Sequence, residues 1–377
     1  MEVKNNFSNI NNSMHMNLFH WFFNKNMESK RQTMVFSPLS INTAMMLLYR
    51  GLNGVSKKEF ENAYNISNEV ETVRTFNSFV NNLRNVNLTN ALFIDEEFDK
   101  FIKSSYKDDV KKGKATLETL NFENDIQVVN HINDFISKNT KGMIPNMLKN
   151  GDIVSDTVLL IVNTLYFKQD FQFPFLRIDE FSRNYDFTHL NKSVSKTKLM
   201  RTEEPIKIRY FSDENKTVQM VLLPYTRKSF TENYSLGLIL NENKNNFRIH
   251  SNIDEMVKNS TYEDVIVKIP KFEIETRNSL KNFFEEMGLG SLFTYLKCDL
   301  SNITERPLHV DNVIHSAKIS VDEKGTEASA STAIMCRSLG SSSCKEKEPM
   351  LFQADHTFQF FIQNENNTIL FSGIYDG

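Results

Sequence analysis

From Gly325 to Pro349 the chain consists mostly of small and polar residues, with Ile334, Met335 and Leu339 as its large apolar side chains. Within this segment Thr326, Ala328, Ala330 and Thr332 alternate with Glu327, Ser329 and Ser331. Successive side chains of a strand point to opposite faces, so this alternation puts small groups on one face and polar groups on the other. A strand of that kind can slide between existing strands and bury its small face without overpacking. The chemistry it offers is conformational: the making of a new backbone hydrogen-bond ladder. A structureless stretch of ~20 residues inside a compact domain is usually functional or disordered. The same composition also suits a flexible Ala/Ser-rich surface loop, and the alternation alone leaves both readings open.

Other chemistries find little support. The chain lacks G-x-S-x-G, H-E-x-x-H and a P-loop, which argues against a hydrolase or nucleotide enzyme. Its three cysteines, Cys298, Cys336 and Cys344, form neither a disulfide framework nor a Cys/His zinc spacing. So few cysteines are compatible with a reducing compartment. No metal or other cofactor is expected. Sequons at Asn87, Asn215 and Asn302 carry little weight in so Asn-rich a chain. A net charge of −3 gives no strong field for nucleic acid or an anionic membrane. The densest basic stretch, Lys103 to Lys114, is interrupted by Asp108 and Asp109 and reads as a solvated face rather than a polyanion site.

These features need a scaffold. The opening residues are broken by Asn and Ser, so no apolar run of roughly 7–15 residues reads as a secretory leader. No run approaches the ~20 apolar residues of a membrane span. A cytoplasmic location is the default expectation, with uncleaved or unconventional export as the alternative. Leu18, Phe19, Phe22 and Phe23 share a helical face. Ser37-Pro38 suits the start of a helix that continues through Ile41 to Tyr49, and Val129 to Ser137 predicts another. Val158 to Val162, rich in branched residues, predicts a fully buried strand. Further strands are expected at Gln219 to Leu223, Tyr234 to Leu240 and Val265 to Ile269, with a late hairpin of Phe358 to Ile362 and Thr368 to Phe371. Helices concentrated early and strands late indicate an α+β fold on largely antiparallel sheets.

Several blocks now form an ordered set. Glu323-Lys324-Gly325-Thr326-Glu327-Ala328-Ser329-Ala330-Ser331-Thr332 resembles the hinge of an inhibitory serpin. Phe352 to Phe358 resembles the serpin C-terminal signature, and His315-Ser316-Ala317 with Ile319 and Val321 resembles the central strand that feeds the hinge. Asn163 to Lys168, Phe36 to Ile41, Asn90 to Phe93 and Leu223 to Tyr225 match further serpin blocks in the family's order. The resemblance implies a single domain over residues 1–377 with a reactive-centre loop at about 323–349. It also implies the serpin fold, with three β-sheets and about nine helices, in a metastable native state. A target serine protease would cut the loop, form an acyl-enzyme, and be trapped as a covalent one-to-one complex while the hinge inserts into the main sheet. The protein itself would be no enzyme. It would be a monomer, prone to polymerise if destabilised, without nucleic-acid binding or membrane insertion.

The family's usual spacing from Gly325 places the cut at Leu339–Gly340, which suits a chymotrypsin-like protease. Arg337–Ser338 is the alternative and would suit a trypsin-like one; a carrier, storage or chaperone serpin is the rival to inhibition. The hinge comprises Glu323, Gly325, Thr326, Glu327, Ala328, Ser329, Ala330, Ser331 and Thr332. The shutter beneath the opening sheet maps onto Ser37, Ser40, Asn163 and His315. Three departures are visible: Phe171 stands where Trp is usual, while Thr357 and Gln359 replace Pro and an apolar residue, which is expected to loosen the last strands. The stretch from Leu339 to Phe352 is also long for the family. Cys336 and Cys344 flank the expected cut; as free thiols they would be bystanders, whereas a disulfide would tether the products and oppose insertion.

Overall fold

The computed structural model describes residues 6–28, 33–83, 86–154, 156–176, 178, 183–227, 233–326 and 348–377. In chain order the elements are α1 (Phe7–Glu28), β1 (Met34–Phe36), α2 (Pro38–Gly51), α3 (Gly54–Ala63), α4 (Glu69–Asn82), β2 (Val86–Asp95), α5 (Ser104–Lys112), β3 (Thr116–Leu120), α6 (Asp125–Asn139) and β4 (Leu159–Phe167). Then follow β5 (Gln169–Asp170), β6 (Asn184–Thr188), β7 (Val194–Arg201), β8 (Ile206–Ser212), β9 (Val218–Pro224) and β10 (Tyr234–Asn241). After α7 (Ile253–Asn259) come β11 (Thr261–Pro270), β12 (Phe272–Ser279), α8 (Lys281–Glu286), β13 (Asn312–Val321) and β14 (Gly325–Thr326). The last strands are β15 (Met350–Gln353), β16 (Phe358–Asn364) and β17 (Ile369–Tyr375). Eight α-helices and two 3₁₀ turns, Glu96–Phe101 and Gly290–Phe293, occur among the described residues. None of the described helices is long and apolar enough to cross a membrane.

The chain divides into two compact units, each assembled from separate segments. The first takes in Met1–Phe167, Ile274–Lys318 and Thr368–Ser372. Its sheet has the order β3-β2-β4-β13. Strands β2 and β4 are antiparallel, from Val86 opposite Phe167 to Ile94 opposite Leu159. Strands β4 and β13 are parallel, from Leu160 beside Asn312 to Leu165 beside Ala317. All of β4 is buried, as expected of a strand covered on both faces, and its Leu-Leu-Ile-Val run is the reason.

Helix α6 covers this sheet. Asn124 caps it by accepting from the Gln127 N–H, satisfying one of the donors that a helix start leaves over. Val128, Val129, Ile132 and Ile136 recur at helical spacing and pack with Phe93, Leu160, Val162 and Ile314. Helix α2 is different: Ser37 caps it, Pro38 opens it, and nearly all its side chains are buried, so it is a core helix rather than an amphipathic one. The Lys-rich α5 region is tied to acids, with Lys103 to Glu305, Lys107 to Asp99 and Lys112 to Asp109.

The second unit takes in Lys168–Glu273, Ile319–Asn367 and Gly373–Gly377. Its strands run in the order β16-β10-β9-β8-β11-β7-β6. Strand β11 pairs with β8 along Thr261 to Val265 and with β7 along Lys268 to Pro270, so its two halves join different neighbours within one sheet. Strand β15 lies beside it in parallel. With the first unit's sheet these give the α+β architecture the sequence predicts. The two core departures find partners here. The Thr357 hydroxyl donates to the Asp376 carboxylate, and Gln359 accepts from the His250 N–H at 3.0 Å and donates to the His250 carbonyl at 3.3 Å. Neither side chain leaves the last strands loosened by an unpaired polar group.

Ile132 is fully buried between α6 and the first unit's sheet. Ile132→Ala should cost about 2–5 kcal/mol through lost burial and an incompletely filled cavity. Urea unfolding of both proteins measures it, and a change below about 1 kcal/mol would contradict this packing.

Candidate functional site

Within the first unit the structure brings Ser37, Ser40, Asn163 and His315 into one buried network. The Ser37 N–H donates to His315 Nε2 at 3.0 Å, so that nitrogen must carry the lone pair. The proton therefore sits on Nδ1 and is donated to Asn163 Oδ1 at 2.6 Å. The same oxygen accepts from the Ser40 hydroxyl at 3.1 Å, which fixes the amide orientation, and Asn163 Nδ2 reaches the Ile314 carbonyl at 3.4 Å. Ser37 Oγ accepts from the Ser40 N–H at 3.0 Å and donates to the Leu370 carbonyl at 2.6 Å. Asn163 and His315 are register partners in β4 and β13, so the network bridges the parallel strand pair.

Burial sets the electrostatics. Desolvation lowers the His315 pKa from 6.5 to about 3, and it lowers that of His15 similarly, with His20 adding to the effect there. His15 Nε2 bonds Ser372 Oγ at 2.9 Å, and Asn11 donates to the Ile369 carbonyl at 2.9 Å. Both imidazoles are thus neutral at physiological pH. His15, Asn11 and Leu370 are absent from the sequence-based set. Asn11 and His15 were findable, since they stand as polar intruders at helical spacing with Leu18 and Phe22; Leu370 acts through its carbonyl and has no side-chain signal.

The second unit positions the start of the hinge. Gly325 and Thr326 form β14, with Thr326 opposite Val321 of β13. On its other side β14 pairs with β5, Gly325 opposite Asp170 and Thr326 opposite Gln169, again antiparallel. The approach is so close that a Cβ on Gly325 would fall 2.3 Å from the Gln169 carbonyl oxygen. Thr326 Oγ1 is bonded to the Tyr225 hydroxyl at 2.6 Å. Phe171 stacks on the Tyr225 ring with centroids 5.0 Å apart, and its N–H donates to the Lys324 carbonyl at 2.6 Å. Glu323 accepts from the Ile178 N–H at 3.3 Å and pairs with Lys271 at 3.3 Å. Partial burial works to raise its pKa, but backbone donors and Lys271 outweigh this and hold it below the usual range.

The remaining hinge residues Glu327, Ala328, Ser329, Ala330, Ser331 and Thr332 lie outside the described residues. So do Arg337, Ser338, Leu339, Gly340, Cys336 and Cys344. Cys298 is half-buried, and burial pushes its thiol up to about 12, so it is unreactive. No cluster of metal-binding side chains is found among the described residues.

The family model described as Serpin (serine protease inhibitor) matches residues 9–376. The leukocyte elastase inhibitor of Xenopus tropicalis is 31% identical, covering 90% of this chain and 92% of its own. Among solved structures, Serpin48 of the insect Tenebrio molitor superposes with a TM-score of 0.82 at 21% identity, over 98% of each chain. Human thyroxine-binding globulin, in complex with thyroxine, gives the same 0.82 at 21%, also over 98% of each. At such identities these two structures speak for the fold.

The neutral histidines set a sign for the response to acid. Their folded pKa values lie below the unfolded 6.5, so the unfolded chain binds more protons and stability falls as pH drops from about 6.5 towards about 3. Equilibrium unfolding from pH 7 to 4 should show this loss, and His315→Gln should flatten part of the slope while lowering stability at pH 7. An unchanged slope would mean that His315 does not carry the effect.

Proposed function

The chain belongs to the serpin family, and on that premise we propose that it inhibits a serine protease as a suicide substrate. The observation that carries the reading is β14. The hinge residues Gly325 and Thr326 already run antiparallel to β13, while β13 and β4 lie side by side in parallel. A strand continuing from β14 between β4 and β13 would be antiparallel to both, replacing one parallel interface by two antiparallel ones, which pair slightly better. Each ladder bond gained is worth about 0.5–1.5 kcal/mol, and the small face formed by Ala328, Ala330 and Thr332 fits the buried sheet without overpacking.

The chemistry belongs to the protease. Its serine attacks the Leu339 carbonyl, the Leu339–Gly340 bond breaks, and Gly340 leaves as a new amino terminus. The acyl-enzyme then holds the protease on the freed strand, and insertion carries it off before water can deacylate it. The shutter network must open for this: His315 keeps Asn163 and Ser37 paired while the sheet is closed and exchanges partners as the strands part. The inhibitory Xenopus relative supports this reading. The fold alone does not choose, since thyroxine-binding globulin shares it; the hinge from Gly325 to Thr332 carries Glu327 as its single charge, which favours insertion.

Mixing the protein with chymotrypsin should give an SDS-stable adduct and a released peptide starting at Gly340. An adduct with trypsin and a peptide starting at Ser338 would move the bond to Arg337. Cleavage without an adduct by either enzyme would overturn inhibition. Ala330→Arg places a long cation on the small face and should convert the protein from inhibitor to substrate, with cleavage retained and the adduct lost. An unchanged adduct yield would contradict insertion of this face.

A further inference from the structure

Two asparagine–glycine pairs occur in the chain, Asn53–Gly54 and Asn150–Gly151, and both are exposed on the first unit. Such a pair carries its own chemistry. The glycine peptide nitrogen can attack the asparagine Cγ, because no side chain on the glycine blocks the approach. The rate depends on how freely the two groups can meet.

Asn53 is pinned. Its N–H donates to the Asp299 carbonyl at 2.9 Å, and its own carbonyl accepts the Lys57 N–H at 3.1 Å as the first bond of α3. Its Nδ2 donates to Ser301 Oγ at 3.1 Å. The Gly54 N–H donates to Asn53 Oδ1 at 2.9 Å, so the nitrogen that would attack is held as a donor. Gly54 is also crowded, with Asp299 Oδ2 2.5 Å from where a Cβ would stand.

Asn150 is not pinned. Lys149, Asn150, Gly151 and Asp152 form a turn between α6 and β4, closed by the Asp152 N–H to the Lys149 carbonyl at 3.1 Å. Neither Asn150 nor Gly151 makes a hydrogen bond among the described residues. Gly151 takes φ 89°, a left-handed conformation that glycine enters freely, and no atom lies within 4 Å of where its Cβ would stand. On both sides of this tip the chain is tied down. Leu148 exchanges two hydrogen bonds with the Asn133 side chain of α6, at 2.7 and 3.0 Å. Arg277 donates to the Met147 carbonyl and pairs with Asp152, and Ile153 is buried.

We propose that Asn150 is a site of spontaneous modification, losing ammonia and taking up water to become aspartate and isoaspartate. The Gly151 nitrogen gives its proton to solvent base and bonds to Asn150 Cγ. The Cγ–Nδ2 bond breaks, ammonia leaves with a proton returned by solvent, and a cyclic imide remains. Water then opens one of the two imide bonds. Opening at Cγ gives aspartate; opening at the main-chain carbonyl routes the backbone through Cγ and gives isoaspartate. The first product adds a negative charge to an exposed turn. The second inserts an extra carbon into a backbone anchored at Leu148 and Ile153, in the segment that α6 grips through Asn133. Protease inhibition is not needed for this site and does not bear on it.

The test incubates the full chain in mildly alkaline buffer, digests it, and follows the peptides containing Asn53 and Asn150 by mass spectrometry. An isoaspartyl methyltransferase labels the isoaspartate formed. Conversion at Asn150 should run at least about tenfold faster than at Asn53, a difference that comes from the fold. In denaturant the two rates should converge, since both pairs then belong to a free chain. Asn150→Gln lengthens the side chain and disfavours ring closure; it should remove the label from this peptide and leave the thermal midpoint unchanged. No conversion at Asn150, or a rate no faster than at Asn53, overturns the proposal, whether or not the variant folds. So does a label that persists in the Asn150→Gln peptide, which would place the isoaspartate at Asn146 or Asp152.

Discussion

Along Leu160 to Leu165, β4 runs beside β13 in the same direction, and Asn163 and His315 meet across that interface. Parallel neighbours leave room for a better arrangement, because a strand entering between them in the opposite sense would pair with both. Besides their ladder, a side-chain network joins them across the interface. His315 accepts at Nε2 and donates at Nδ1, and protonation would put a proton on Nε2 opposite the Ser37 N–H and destroy the accepting role. The burial of α2 beneath this point and the capping role of Ser37 follow from the same need, since the serine that caps the helix also feeds the histidine.

At the hinge the geometry is set by steric limits. Gly325 passes so near the Gln169 carbonyl that no side chain fits there, and Thr326 is held by a hydroxyl of Tyr225 whose ring is fixed by Phe171. Phenylalanine at position 171 therefore retains a stacking role, although it lacks the indole N–H that the usual tryptophan would bring. At Gly325 and Thr326 the hinge is anchored by a ladder, one side-chain hydrogen bond and a close backbone approach.

Much of this was legible in the sequence. The branched run before Asn163 predicts a buried strand because no polar face interrupts it, and Ser37-Pro38 marks the helix start by capping and by a fixed φ. The four shutter residues were reached through resemblance, and their tautomer logic appears only when the atoms are in place. Tyr225 was read only as part of a block resembling the family, since nothing local reveals a partner 101 residues away. Thr357 and Gln359 read as flaws in the last strands because their partners, Asp376 and the His250 backbone, are set by tertiary structure alone. The two-unit division was equally hidden, for no linker separates segments that return to each other across the whole chain.

The hydrogen-bond partners of Ser37, His15 and Asn11 stand 333, 357 and 358 residues further along the chain. During synthesis these three side chains emerge early and must wait, in an apolar setting, for almost the entire chain to follow. Contacts of such separation are the slow ones to form, because the loop-closure entropy is spent before they stabilise anything. The closed network around His315 is thus completed late in folding, by β17. A stalled or truncated chain would hold its helices and much of its sheet, yet have no latch, and its open sheet edge would be available to a neighbouring molecule.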